Sequence, residues 1–288
     1  MQETKSSTGK KTMGQDVDVN DSMKPIWINK DPKKNNESEY CIMVATPVHS
    51  DVSIHYTQSL LEMQKFCFAQ GIKIMFHLLK SSLVTQGRNL CAAAFLNNKD
   101  ATHMLFIDSD IDFEPESIYN MLKKDKDVIS IPYPLKTFDW DKGYHKFKEG
   151  EIKSGRDLML AMNNYPVKIQ DIEDIAVVDG VMELTHSPTG CMLIKRSTIE
   201  KMIESYPHMK IKQNTIINGK SVETPNMYNF FDTHFDPETQ TYHGEDFAFC
   251  MRWKALGGKC HAYIKDYISH VGEHQYSGRF ADELKRID

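Results

Sequence analysis

Residues 103–110 read HMLFIDSD: the run His103–Ile107, then Asp108, Ser109 and Asp110. A short, nearly continuous apolar run is the signature of a buried strand. In open α/β sheets, ligands bind beyond the carboxyl ends of the strands. Two carboxylates held there, flanking one small residue, offer hard oxygen ligands to Mg²⁺ or Mn²⁺, and a cation so held bridges nucleotide phosphates. The alternative is an acidic turn whose aspartates cap the helix that begins at Pro115.

The sequence on either side repeats the strand–helix rhythm. Upstream, Cys41–Thr46 is an apolar run stopped by Pro47, and Ile54–Gln70 has Leu60, Leu61, Gln64 and Phe68 at helical spacing before Gly71. Ile72–Leu79 is a second strand. Val84–Asn98 is a helix presenting Leu90, Ala94 and Phe95 to the core. Downstream come a helix over Pro115–Lys123, a strand over Val128–Ile131, strands over Val181–His186 and Cys191–Lys195, and a helix over Ser197–Ser205. A helix over Glu245–Leu256 and a strand over Lys259–Tyr263 follow. This alternation predicts an α/β fold: a mostly parallel central sheet flanked by helices. Residues 134–150 (PLKTFDWDKGYHKFKEG) are charged, aromatic and aperiodic, and read as a long lid or binding loop.

Residues 1–38 are rich in Lys, Asp, Asn, Ser and Gly around one apolar island, Ile26-Trp27-Ile28, and are expected to form a flexible arm. Residues 39–288 are expected to form a single domain. The chain has 288 residues, 35 Lys and Arg against 40 Asp and Glu, and a net charge of −5. That balance argues against a dedicated nucleic-acid binder, which carries a basic surplus. The six cysteines include no CxxC pair and mostly lie in apolar runs, so they read as reduced and structural. No run approaches the ~18–20 apolar residues of a membrane span, and the N-terminal stretch lacks a signal-peptide core. A cytoplasmic location is expected.

Other residues carry possible chemistry. Glu245 and Asp246 open a helix after Gly244, where acids suit the helix dipole; alternatively, a carboxylate there is a general base held in place. His270, in His270-Val271-Gly272-Glu273-His274, is either a third metal ligand or part of a solvated loop. Thr46, Pro47 and His49 end the first strand, where a nucleotide base would lie. Arg88, in Gln86-Gly87-Arg88-Asn89, either meets a phosphate, orients an aspartate or caps a helix at the surface. Neither GxGxxG nor a P-loop occurs, and GxSxG and HExxH are also missing.

Taken in order, ATP (45–47), QGRN (86–89), FIDSDIDF (106–113), SPTGCMLIKR (187–196), HGEDFAFCMRW (243–253) and ISHVGEH (268–274) resemble the GT-A glycosyltransferases. They resemble especially small family-2-like enzymes of large DNA viruses, phages and bacteria, over roughly residues 40–275. The resemblance implies a GT-A, Rossmann-like nucleotide-diphospho-sugar transferase fold. It implies that Asp108, Asp110 and His270 hold Mn²⁺ or Mg²⁺, and that Thr46, Pro47, His49, Arg88, Asp108, Ser109 and Asp110 surround the nucleotide-sugar. Gly190 would leave room for the donor sugar, Asp246 would be the catalytic base and Glu245 would grip sugar or acceptor hydroxyls. Trp140 and Tyr144 would cover the acceptor. The implied partners are a nucleotide-sugar donor, a UDP-sugar first, and a glycan acceptor. Two rival readings use the same residues: a nucleotidyltransferase or phosphohydrolase, and a non-catalytic nucleotide- or sugar-binding module.

Overall fold

The computed structural model describes residues 38–169, 175–217 and 220–284. The arm over 1–38, its apolar island included, lies outside them but for Ser38. The chain builds β1 (Cys41–Val48), α1 (Ile54–Gln70), β2 (Lys73–Lys80), α2 (Val84–Asn97), β3 (His103–Ile107), β4 (Ile111–Phe113), α3 (Pro115–Lys123) and β5 (Val128–Ser130). Then come α4 (Trp140–Lys148), α5 (Gly155–Ala161), β6 (Val181–Leu184), β7 (Cys191–Lys195), α6 (Arg196–Ser205), β8 (Asn214–Ile217) and β9 (Lys220–Glu223). The last elements are β10 (His234–Asp236), β11 (Thr241–His243), α7 (Glu245–Ala255), β12 (Cys260–Tyr263), β13 (Ile268–Val271), β14 (Gln275–Gly278) and α8 (Phe280–Leu284).

Seven strands form the central sheet in the order β2-β1-β3-β7-β5-β12-β6. Neighbours β2–β1, β1–β3 and β5–β12 are parallel, whereas β7 runs against both β3 and β5, and β6 runs against β12. Five strands therefore share one direction and two oppose it. The sheet is mixed, mostly parallel, and compatible with a Rossmann-like arrangement.

Both faces of the sheet are covered, which explains why the strands are apolar throughout instead of alternating. Met43, Met104 and Phe106 point to one core with Phe95, Phe231, Phe249 and Trp253. Their neighbours Ile42, Val44, Leu105 and Ile107 point to the other, with Tyr56, Met63 and Ile118. All six cysteines are free and buried in these layers. No described helix is long and apolar enough to cross a membrane.

Several expectations need correction. The face that α1 buries is Tyr56, Ser59, Met63 and Cys67, while Leu61 and Phe68 are exposed. Two polar residues on that face have tertiary partners: Tyr56 shares a 2.5 Å hydrogen bond with Thr46, and Ser59 bonds both Asp112 and the Phe113 amide. The first strand does not stop at Pro47. It continues to Val48 because, beyond Ala45, only β2 pairs with it, so no β3 carbonyl awaits the missing proline N–H. The stretch 134–150 is not a plain loop, since its second half is α4. Asp139 caps that helix through the Lys142 amide at 2.9 Å, Asp141 occupies its first turn, and His145, Lys146 and Lys148 occupy its last.

Candidate active site

The DSD turn joins two sheets. β3 belongs to the central sheet, and β4 pairs with β13 in a three-stranded sheet of order β14-β13-β4. The Asp108 amide donates to the Gly190 carbonyl at 3.0 Å, the Ile111 amide to Asp108 O at 3.1 Å, and the Val271 amide to Asp110 O at 2.8 Å. These bonds fix the two carboxylates and send them to different partners. Neither caps α3, whose N-cap is Glu114.

Asp108 meets Arg88. The guanidinium is 3% exposed; its Nη2 donates to Asp108 Oδ1 at 3.0 Å and its Nε to Glu245 Oε1 at 3.2 Å. Gly87 allows the approach, because a Cβ there would stand 2.9 Å from the Pro47 side chain. Asn89 next door accepts from the Phe231 amide and donates to Asn229. Arg88 is thus no surface cap but a buried strut linking the sheet edge to the start of α7. Burial opposes its charge, yet Asp108 and Glu245 outweigh that and raise its pKa. Its Nη1 is buried without a hydrogen-bond partner.

Asp246 follows Glu245 in the first turn of α7. Burial pushes its carboxyl above the ordinary aspartate value and the charge of Glu245 adds to this; the Phe247 amide, donating at 2.8 Å, and Arg88 pull the other way. A raised carboxylate is a better proton acceptor than an exposed one. Phe247 stacks on buried His186 with ring centroids 4.2 Å apart. Burial holds the His186 imidazole down to about 4, so it is neutral.

Asp110 faces the other way. Its Oδ1 lies 3.4 Å from His270 Nε2, and its Oδ2 lies 2.5 Å from the Lys136 ammonium. Burial would raise this carboxyl, but hydrogen bonds from His270 and Lys136 dominate and hold it below its usual value. His270 is a residue of β13, not of a solvated loop. Its Nδ1 sits 3.0 Å from the Pro134 carbonyl, which only accepts, so Nδ1 carries the proton. Nε2 is then the ring atom that faces Asp110 Oδ1, with a backbone carbonyl behind the ring as in metal-ligating histidines.

A metal reading fits part of the expected set. Among the described residues, no three His, Cys, Asp or Glu side chains gather closely enough to hold an ion. Asp110 and His270 make a pair, while the Asp108 carboxylate is engaged by Arg88. One or two protein ligands suffice where substrate phosphates complete the shell, so the donor chemistry suits Mg²⁺ or Mn²⁺.

No known protein-family model matches this chain, and no curated protein matches it in sequence. Among solved structures, the chain is similar to the crystal structure of A197 from STIV. The TM-score is 0.44 and the identity 16%, over 81% of this chain and 86% of that one. A glycosyltransferase involved in the glycosylation of the major capsid of PBCV-1 is also similar. There the TM-score is 0.29 and the identity 12%, over 58% of this chain and 66% of that one. At such scores neither neighbour bears on the chemistry.

The remaining expected residues scatter around these two groups. Thr46 is fully buried against Tyr56, so its hydroxyl serves packing instead of facing a ligand. Pro47 touches the start of α2. His49 is exposed just past β1. Ser109 ties the turn to the β1–α1 connection, its Oγ donating to Asp51 O and its carbonyl accepting from the Ser53 amide. Gly190 does leave room, but Tyr133 uses it: a Cβ there would lie 2.5–2.6 Å from the phenol ring and hydroxyl. Trp140 and Tyr144 are exposed on α4. Trp140 edges onto Phe138, whose ring meets His274 and Tyr276.

Sequence reasoning missed Tyr133 and Lys136. Burial raises the Tyr133 phenol and Asp108 adds to this, and its ring edges onto His270 at 5.1 Å, so it spans the two groups. Both residues follow β5 at its carboxyl end, where ligand-facing groups concentrate in such sheets. That position was the available signal.

Proposed function

We propose that this chain is a glycosyltransferase that moves a sugar from a nucleotide-diphosphate sugar, a UDP-sugar first, to a hydroxyl of a glycan acceptor with inversion. The observation that carries the reading is the Arg88 bridge. It joins residues 157 positions apart in sequence, and so brings the base candidate Asp246 beside the DSD turn. A non-catalytic binding module has no need of that second, half-buried carboxylate.

In this reading Asp246 takes the proton of the acceptor hydroxyl, which then attacks the anomeric carbon opposite the departing diphosphate. Its raised pKa, from burial and Glu245, suits that task. Glu245 is held by Arg88, so the geometry of the base is fixed before substrate arrives. Asp110 and His270 would hold the Mn²⁺ or Mg²⁺, which supplies charge neutralisation to the diphosphate. The donor would lie at the carboxyl edge near Tyr133, with the acceptor under Trp140 and Tyr144.

The test is a panel of UDP- and GDP-sugars, with and without Mn²⁺, read by thermal shift and by product. The expected outcome is stabilisation by one nucleotide-sugar and release of nucleoside diphosphate. Pyrophosphate release would instead assign a nucleotidyltransferase.

A further inference from the structure

Lys136 is an exposed lysine whose ammonium has a defined partner. Its ammonium lies 2.5 Å from Asp110 Oδ2, and both side chains are only about a third exposed (36% and 34%). The segment carrying it is pinned at two further points. The Pro134 carbonyl holds His270 Nδ1, and the Leu135 amide donates to Asn164 O at 2.7 Å. The lysine stem runs along the backbone of Gly272, where a Cβ would come within 3.1 Å of its Cδ. One three-residue segment therefore supplies both the acceptor that orients His270 and the cation that neutralises Asp110.

We propose that Lys136 is a tethered competitor for the divalent cation, its ammonium and the metal excluding one another on Asp110. This rests on the reading of Asp110 and His270 as the cation-holding pair. Two positive charges on one carboxylate, a few ångströms apart, repel strongly in a partly desolvated site. Binding of the metal then displaces Lys136 Nζ from Oδ2, and the ammonium, still tethered at Leu135, is released next to the donor site. No covalent bond changes: Asp110 exchanges the single charge of the ammonium for the double charge of the metal, and the displaced ammonium turns to solvent. The pinned backbone keeps the root of the lysine beside Asp110, so the ammonium stays within reach of Oδ2 at a high effective concentration.

The experiment titrates Mn²⁺ alone, without nucleotide, into the full chain and reads free Mn²⁺ by electron paramagnetic resonance. Lys136→Met and Lys136→Gln remove the charge and keep most of the stem. Both are expected to bind Mn²⁺ about fivefold more tightly than wild type, the scale of a partly exposed ion pair. Adding Asp110→Asn to Lys136→Met is expected to abolish the gain. Unchanged or weaker Mn²⁺ binding in both single variants overturns the proposal, as does a gain that survives Asp110→Asn. The sugar-nucleotide panel is read separately on wild type. Failure there sinks the transferase reading without moving the Mn²⁺ result, and an unchanged Mn²⁺ affinity sinks the Lys136 proposal without moving that panel.

Discussion

Asp108 and Asp110 stand two residues apart in one turn and live in different physical worlds. Asp108 is clamped by a guanidinium that is 3% exposed and shared with Glu245. Asp110 is a third exposed and held by a flexible ammonium and an imidazole. The first arrangement is a strut around a buried guanidinium: Asp108 and Glu245 remain 28% and 18% exposed, but the arginine between them has left water and depends on both. The second is exchangeable, because solvent compensates whatever leaves. A single motif thus combines a rigid anchor with a replaceable counter-ion, and each half answers to a different kind of perturbation.

The strut gives the largest expected effect. Arg88→Met removes the shared partner of Asp108 and Glu245, which are 28% and 18% exposed, and is expected to cost about 2–3 kcal/mol in urea unfolding. A loss below about 1 kcal/mol would break the comparison, since Arg88 would then behave like a surface residue. Next is Asp246→Asn, expected to lower turnover by at least about 100-fold. Its stability effect has the opposite sign. A carboxyl whose folded pKa is raised favours the folded state below its unfolded pKa, and that contribution is lost as pH rises through the folded pKa. The Asn variant should therefore melt no lower than wild type at pH 7–8, with the difference vanishing below about pH 3.8, the ordinary carboxyl value. Calorimetry across pH checks both limbs.

Gly190→Ala sharpens the picture from the sheet side. The added methyl must push Tyr133, and overpacking of this kind costs about 1–3 kcal/mol. Thermal unfolding with no loss would show that Tyr133 moves freely. The smallest effect belongs to an ordinary surface pair. Lys259 and Glu183 meet at 2.7 Å but are 64% and 49% exposed, so Lys259→Ala should change stability by no more than about 0.5 kcal/mol.

Much of the scaffold was legible from local pattern. Ile54–Gln70, His103–Ile107, Pro115–Lys123 and Cys191–Lys195 were bounded correctly, because Gly71, Pro115 and continuous apolar runs are local signals. The direction of β7 was not, since strand orientation depends on partners and not on composition. The spacing of Leu60, Leu61, Gln64 and Phe68 marked α1 as a helix but not the face it buries: Ser59 is buried by its hydrogen bonds to β4, and hydrophobicity carries no trace of them. At the site, Asp108, Asp110, Arg88, Glu245 and His270 were visible as motif residues, but that Asp108 and Asp110 part company was not. Tyr133 and Lys136 lie in Ile131-Pro132-Tyr133-Pro134-Leu135-Lys136, which matches no motif, and only the fold brings them to Gly190 and Asp110.

On the proposed function, the Arg88-linked edge, with Asp246 upon it, transfers sugars. The most direct measurement is nucleoside diphosphate release from a sugar-nucleotide panel by wild type and Asp246→Asn side by side, with melting temperature recorded for both. Wild type is expected to release it, and the variant to lose at least ~100-fold while melting no lower. Equal release by the two proteins would contradict it.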